Sequence, residues 1–351
     1  MNRSRAQSRT GLLMTTTGRT RRVITSILSG AATAGLMLLL PRVVGSTWKA
    51  VGDVLSQVPL WDLAALAVVW IGGLWSHSFV LAASLPGLTR RRGLTLNLTG
   101  SAVANVLPLG GAAGTGLNYA MTRRWGFSPA AFGGFLAVTT LLNVVAKLGV
   151  VAVALALVPF IHSASAFSAT SLLFLPVPVA VAVVVWVLAD VNVATAFGRA
   201  VDRLIRTFRR DHRSQLASTV PELRHSVLRV LRAGWRPMTV GMLAYLALQL
   251  ALLWLCFQVL GISLGLPVLV TALAVGQLLS LVPVTPGSAG VFEVGTAAAL
   301  VALGGDPAGV TAGLLLFRGF TYLLEIPVGG VTLAIWCWTH RRPAAREAVA
   351  G

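Results

Sequence analysis

The chain has 351 residues, of which 56% are hydrophobic and only 11% charged; 28 Lys+Arg against 10 Asp+Glu give a net charge of +18. Soluble domains carry roughly 25% charged residues, and several apolar runs here reach the roughly 20 residues that cross a bilayer. The composition therefore specifies an all-α polytopic membrane protein, and because the basic residues lie between the apolar runs, membrane topology accounts for them and a nucleic-acid partner is excluded.

In chain order, Met1–Arg22 is basic, and the apolar run after it lacks a small-residue cleavage site, so it is read as a retained first span. About six full spans are expected, at 23–40, 61–86, 129–158, 171–189, 238–260 and 307–338. Two further runs, 94–122 and 268–303, are broken by Pro and Gly and are expected to be re-entrant hairpins. The first transmembrane half then covers 23–190 and the second 238–340, with a basic cytoplasmic tail at 341–351. Between the halves, 191–237 reads as a basic amphipathic linker. Phe197, Val201, Leu204, Ile205 and Phe208 recur at helical spacing among arginines, so 199–236 is expected to lie on an anionic leaflet surface.

The basic clusters at Arg19–Arg22, Arg90–Arg92, Arg123–Arg124, Arg199–Arg236 and Arg341–Arg346 all fall on one side if the 94–122 segment enters and leaves by the same face. By the positive-inside rule that side is cytoplasmic, and so are both termini. Shifting the chain by 178 residues superposes Pro108 on Pro286, and Ser128-Pro129 on Asp306-Pro307. Ser and Asp are good N-caps and Pro suits the first helical position, so each pair is expected to start a long helix. The charge topology makes the two halves run in opposite directions, which is an inverted repeat, and paired broken segments in such halves point to a transporter's binding site.

The first break holds Asn105, Pro108, Gly110, Gly111, Thr115 and Asn118; the second holds Pro286, Gly287, Ser288 and Glu293. Free N–H groups at the helix beginning after each break suit an anionic head group, although a close-packed structural hairpin fits the same residues. Ionisable groups within the membrane are functional candidates by default; here they are Lys147, Glu293, Arg318 and Glu325, with Asn143 and Tyr322 one turn from Lys147 and Arg318. Arg318 or Lys147 would attract an anion and Glu293 or Glu325 would balance it. The alternatives are a structural ion pair, or Glu293 capping its own helix. On the functional reading Arg318→Ala abolishes transport and leaves folding intact. The five histidines have no ligand spacing and nothing in the chain supports catalysis, a metal or a cofactor. Cys256 and Cys337 lie in apolar segments and suggest no disulfide framework.

The stretch from Val282 to Glu293, the helix from Leu316 to Gly329, and Asn105–Gly111 with Tyr119 and Arg123-Arg124 resemble the lysylphosphatidylglycerol synthase transmembrane-region family over roughly residues 20–340. Where many members carry Gly-Glu and an Arg after the first hairpin, this chain has Gly114-Thr115-Gly116 and Asn118; Asn143 and Lys147 stand near the place of a usual acidic pair. Only nine residues follow Arg342, so no soluble aminoacyl-transferase domain is expected. The resemblance implies lipid handling in a bacterial cytoplasmic membrane. The leading expectation is a translocase for an anionic, aminoacylated or polyprenyl-linked lipid. Its rivals are a non-catalytic partner presenting lipid to a separate glycosyl- or aminoacyl-transferase, and a secondary transporter of a small anion.

Overall fold

A computed structural model describes residues 30–107, 110–157, 216–281 and 285–340, with side chains from Val227 onward in the third stretch, and a few isolated positions between 190 and 199. The expected span 171–189, most of the basic linker, Pro108 and both termini lie outside the described residues. Every regular element described is helical. The helices are α1 (Gly30–Val43), α2 (Trp48–Leu55), α3 (Leu60–Ser84), α4 (Arg90–Val106), α5 (Gly110–Arg124), α6 (Pro129–Leu157), α7 (Leu216–Val259), α8 (Leu266–Leu279), α9 (Val291–Ala302), α10 (Pro307–Arg318) and α11 (Glu325–Thr339).

Four segments among the described residues are long and apolar enough to cross a membrane: Leu60–Ser84, Pro129–Leu157, Val227–Val259 and Pro307–Thr339. The starts of α6 and α10 follow from local chemistry. Ser128 Oγ accepts from the Ala131 N–H at 3.1 Å and the Asp306 carboxylate from the Gly309 N–H at 2.8 Å. Each cap precedes a proline that has no N–H to leave unsatisfied.

Three boundaries differ from expectation. Trp48–Leu55, unforeseen, forms a short helix capped by Thr47, whose hydroxyl accepts from the Ala50 N–H. The linker's second stretch and the span after it are one helix of 44 residues that continues through Pro237. A proline removes only one backbone donor. Here Gly234 lies against Ala83 and Gly241 against Ser76 and Val80, so contact with α3 on both sides of Pro237 holds the helix axis. Finally, the last long helix is interrupted. Between α10 and α11 the chain makes a wide turn, Gly319–Leu323, in which the Leu324 N–H reaches back five residues to the Gly319 carbonyl at 2.8 Å. Pro327 clashes with the carbonyl four residues earlier in a regular helix, and a wide turn relieves that clash.

The two broken segments fold as antiparallel helical hairpins. In the first, Gly114 lies against the Gly100 carbonyl and the buried Thr99 hydroxyl donates to Met121 Sδ at 3.5 Å. With 17 and 15 residues, α4 and α5 are about 25 and 22 Å long, short of the roughly 30 Å hydrocarbon core. In the second, Phe292 packs on Gly276 and Leu279 on Gly295. Helix α8 is buried from Leu269 through Gly276, and with Leu252, Leu253, Cys256 and Phe257 of α7 it forms the heart of the main core. The Arg90–Arg92 and Arg123–Arg124 clusters gather at one end of the bundle. There Arg90 lies over Phe79, Arg92 over Trp125 and Arg124 over Trp336, the last also donating to the His340 carbonyl at 3.3 Å.

Helix α11 meets α4 backbone to backbone: a Cβ on Gly329 would fall 2.1 Å from the Leu98 carbonyl oxygen, whereas one on Gly330 would meet nothing within 4 Å. Overpacking typically costs about 1–3 kcal/mol. Gly329→Ala should therefore lower the unfolding temperature in detergent by several degrees, and Gly330→Ala should leave it where it is. Equal behaviour of the two variants in a thermal scan would contradict this packing.

Candidate functional site

The tip of the second hairpin is a tight coil. Gly287, Ser288 and Gly290 have φ of 55°, 57° and 85°, in the left-handed region that a glycine enters freely. A Cβ on Gly287 would lie 2.4 Å from the Tyr322 ring, so that position tolerates nothing larger. Thr285 Oγ1 donates across the coil to the Ala289 carbonyl at 2.8 Å, and the buried Ser288 hydroxyl reaches the Ser280 carbonyl at 3.5 Å. From outside the hairpin, Arg318 Nη2 donates to the Gly287 carbonyl at 3.0 Å. The Tyr322 hydroxyl donates to the Asn105 carbonyl at 2.8 Å, with the Pro286 carbonyl 3.4 Å away, and Asn105 Nδ2 returns a bond to the Tyr322 carbonyl at 3.4 Å. One cluster thus ties together Asn105 at the end of α4, the Pro286–Ser288 coil, and the wide turn after Arg318.

The expected anion seat at the start of α9 is already filled. Glu293 reaches back to accept from the Gly290 N–H at 2.6 Å, and its other oxygen accepts from Arg318 Nε at 2.5 Å. A carboxylate three residues into a helix is well placed to take the free N–H groups there and to meet the positive end of the dipole. Both alternatives left open by the sequence, the ion pair and the cap, therefore hold at once. Glu293 is fully buried and the Arg318 side chain is 12% exposed. The guanidinium lies between the rings of Phe292 and Tyr322, 4.7 and 4.6 Å from their centres.

Arg318 also lines a polar cavity of about 230 Å³ with Lys147, Asn143, Tyr245, Gln249, Gln277 and Ser280. Lys147 Nζ donates to Ser280 Oγ at 2.6 Å, and it makes no ion pair among the described residues, where Arg318–Glu293 is the one that forms. Gln249 bridges the cavity wall, donating to the Tyr245 hydroxyl at 2.6 Å and accepting from Gln277 Nε2 at 3.2 Å. No carboxylate belongs to this lining. Next to it runs an apolar groove of about 500 Å³ between α6, α7 and α8, whose walls share Ala146, Met242, Leu246 and Leu273 with the polar cavity.

A second polar cavity, about 250 Å³, lies along the first hairpin and includes Gly111, Thr115, Asn118, Asn97, Ser101, His77 and Thr139; Asn143 lines both cavities. Gly110 is not among the cavity residues: a Cβ there would run into the Ala104 carbonyl, so it serves close packing. Glu325, seven residues after Arg318, follows the wide turn and faces Ser101, Trp70 and Tyr245 while staying within electrostatic reach of Arg318. Of the residues expected at the site, Lys147, Asn143 and Arg318 meet at the first cavity. Gly111, Thr115 and Asn118 meet at the second, and Asn105, Pro286, Gly287, Ser288, Glu293 and Tyr322 build the hairpin anchor. Tyr245, Gln249, Gln277 and His77 were not anticipated; the spacing of Tyr245 and Gln249, one turn apart in an otherwise apolar span, is the signal that marks them.

The anchor revises the expectation for Arg318. Removing one partner of a buried pair typically costs 3–5 kcal/mol, because the other charge is left uncompensated. Arg318→Ala should therefore lose folded protein as well as function, and Glu293→Gln combined with Arg318→Met should recover part of the lost unfolding temperature. A double variant no more stable than Arg318→Ala alone would show that the pair is not what holds the tip.

Comparison with curated proteins gave no match. The profile of the lysylphosphatidylglycerol synthase TM region matches residues 25–329, a stretch that takes in both hairpins, the anchor and the cavities. With most of its length matched, the chain belongs to the lysylphosphatidylglycerol synthase TM-region family.

Proposed function

We propose that this protein is a lipid translocase of a bacterial cytoplasmic membrane, moving a lipid with an anionic phosphate between leaflets without making or breaking a covalent bond. The observation that carries the reading is the continuity of a cationic polar cavity with an apolar groove, through the shared wall of Ala146, Met242, Leu246 and Leu273. A soluble anion needs only the first of these; a lipid needs both. Lys147 supplies the uncompensated positive charge and Gln249, Gln277 and Asn143 the hydrogen bonds, while an acyl or prenyl chain lies in the groove. Membership of a family named for a lipid synthase's membrane region agrees with this.

In this reading the hairpins are re-entrant, the two halves form an inverted repeat, and alternate access comes from their rocking about the site. Both termini and the arginine-lined end face the cytoplasm, where the arginines of 199–236 lie near the anionic leaflet. Lys147 is the charge to test, because Arg318 also supports the fold. In liposomes containing fluorescent phosphatidylglycerol, its lysyl derivative or a polyprenyl phosphate, accessibility of the label to a quencher reports movement. Wild type should move at least one of them; Lys147→Met should slow this about tenfold or more, in line with losing a charged hydrogen bond, at an unchanged unfolding temperature. Folded wild-type protein that moves none of the three would favour a partner that presents lipid to a separate transferase.

A further inference from the structure

The second polar cavity is uncharged, and some of its buried acceptors have no donor. Thr115 Oγ1 gives its proton to the Gly111 carbonyl at 2.8 Å and Thr139 Oγ1 to the Phe135 carbonyl at 2.8 Å. Asn143 Nδ2 donates to the Thr139 carbonyl at 2.9 Å, leaving the amide oxygen. His77 Nδ1 lies 3.2 Å from Asn97 Oδ1, which places the ring proton there and leaves Nε2 as an acceptor. Neither His77 Nε2 nor Asn118 Oδ1 has a partner, although both atoms are buried. An unmatched buried acceptor costs free energy, and with the Asn97 and Asn118 amide N–H groups in the same lining the cavity asks for a ligand that donates and also accepts.

Two kinds of head group donate: hydroxyls and an ammonium. An ammonium calls for a carboxylate, and neither polar cavity has one in its lining; Glu325 stands behind Ser101 instead. Lys147, across the shared Asn143, would also repel a second cation. Hydroxyls fit without either penalty. Resting on the translocase reading above, we infer that the first-hairpin cavity seats the hydroxylated part of the head group, so that the substrate carries a polyol or sugar on its phosphate. The phosphate sits by Lys147 and Arg318, the hydroxyls face His77, Asn118 and the two threonines, and the chains follow the groove.

Displacement of fluorescent phosphatidylglycerol from the purified full-length protein tests this. Competitors are phosphatidylglycerol, a glucosyl phosphoprenol, phosphatidic acid and phosphatidylethanolamine. At least one hydroxylated lipid should displace the probe at about tenfold lower concentration than phosphatidic acid or phosphatidylethanolamine, the equivalent of one or two net hydrogen bonds. The tighter of the two identifies a glycerol or a sugar head. His77→Phe, which keeps a ring against Tyr245, should bring the ratio toward one. Asn118→Asp, the same shape with a charge, should shift preference toward phosphatidylethanolamine, a gain that misfolding cannot imitate. Equal displacement by phosphatidylglycerol, the glucosyl lipid and phosphatidic acid in wild type, or a ratio unmoved by His77→Phe, overturns the inference while leaving the translocase intact. Loss of all binding selectivity for phosphate-bearing lipids, with Lys147→Met indistinguishable from wild type, overturns both.

Discussion

A carboxylate and a guanidinium that share a hydrogen bond away from water dictate the rest of this structure. Each charge alone would be too costly to bury, so the position of one fixes the other. Glu293 is held by the start of its own helix, and Arg318 must come to it. Arg318 then brings the Gly287 carbonyl and the stacked Tyr322 ring, and Tyr322 brings Asn105 from the other half of the chain. The hairpin tip is thus positioned by electrostatics and hydrogen bonds, where hydrophobic packing gives no direction. With both acids and Arg318 engaged or turned aside, Lys147 is left as a cation with no acid beside it, and the polar cavity takes its sign from that.

Packing around this anchor follows the logic of a membrane interior. Lipid tails are as apolar as leucine, so helices gain little from hiding leucines and more from close approach of small residues. Gly114 against Gly100 and Gly329 against Leu98 are contacts of this kind, and they bring α4, α5 and α11 together without large side chains. The same economy leaves room for cavities, because helices held by backbone contact at one height can separate at another.

Local chemistry was legible in the chain and long-range pairing was not. Ser128-Pro129 and Asp306-Pro307 mark helix starts because a cap acts over three residues. The hairpins were legible because Pro and Gly break helices wherever they occur. The role of Glu293 stayed open because its two partners, Gly290 three residues away and Arg318 twenty-five away, satisfy the same sequence pattern and only the fold shows that both are used. The wide turn at Gly319–Leu323 was missed because Pro327 is equally compatible with a kink. His77 was set aside for want of ligand spacing, a criterion that detects metals and overlooks an acceptor facing a cavity. Gln249 and Gln277 are single polar residues in apolar helices, and nothing in either helix alone says that they meet.

The groove between α6, α7 and α8 bears on how binding to this protein must be counted. Its walls include Val145, Val153 and Leu243, each with about half of its surface or more exposed on the flank of the bundle. Such a wall faces hydrocarbon, so whatever occupies it arrives sideways, within the plane of the bilayer. The relevant concentration is then a mole fraction of lipid, which diluting the surrounding water does not change. For a lipid in the groove, as the translocase reading has it, occupancy responds to membrane composition, and even weak affinity suffices for a component that makes up a substantial share of the leaflet. On the translocase reading, an inhibitor of the groove has to partition into the membrane before it competes at all.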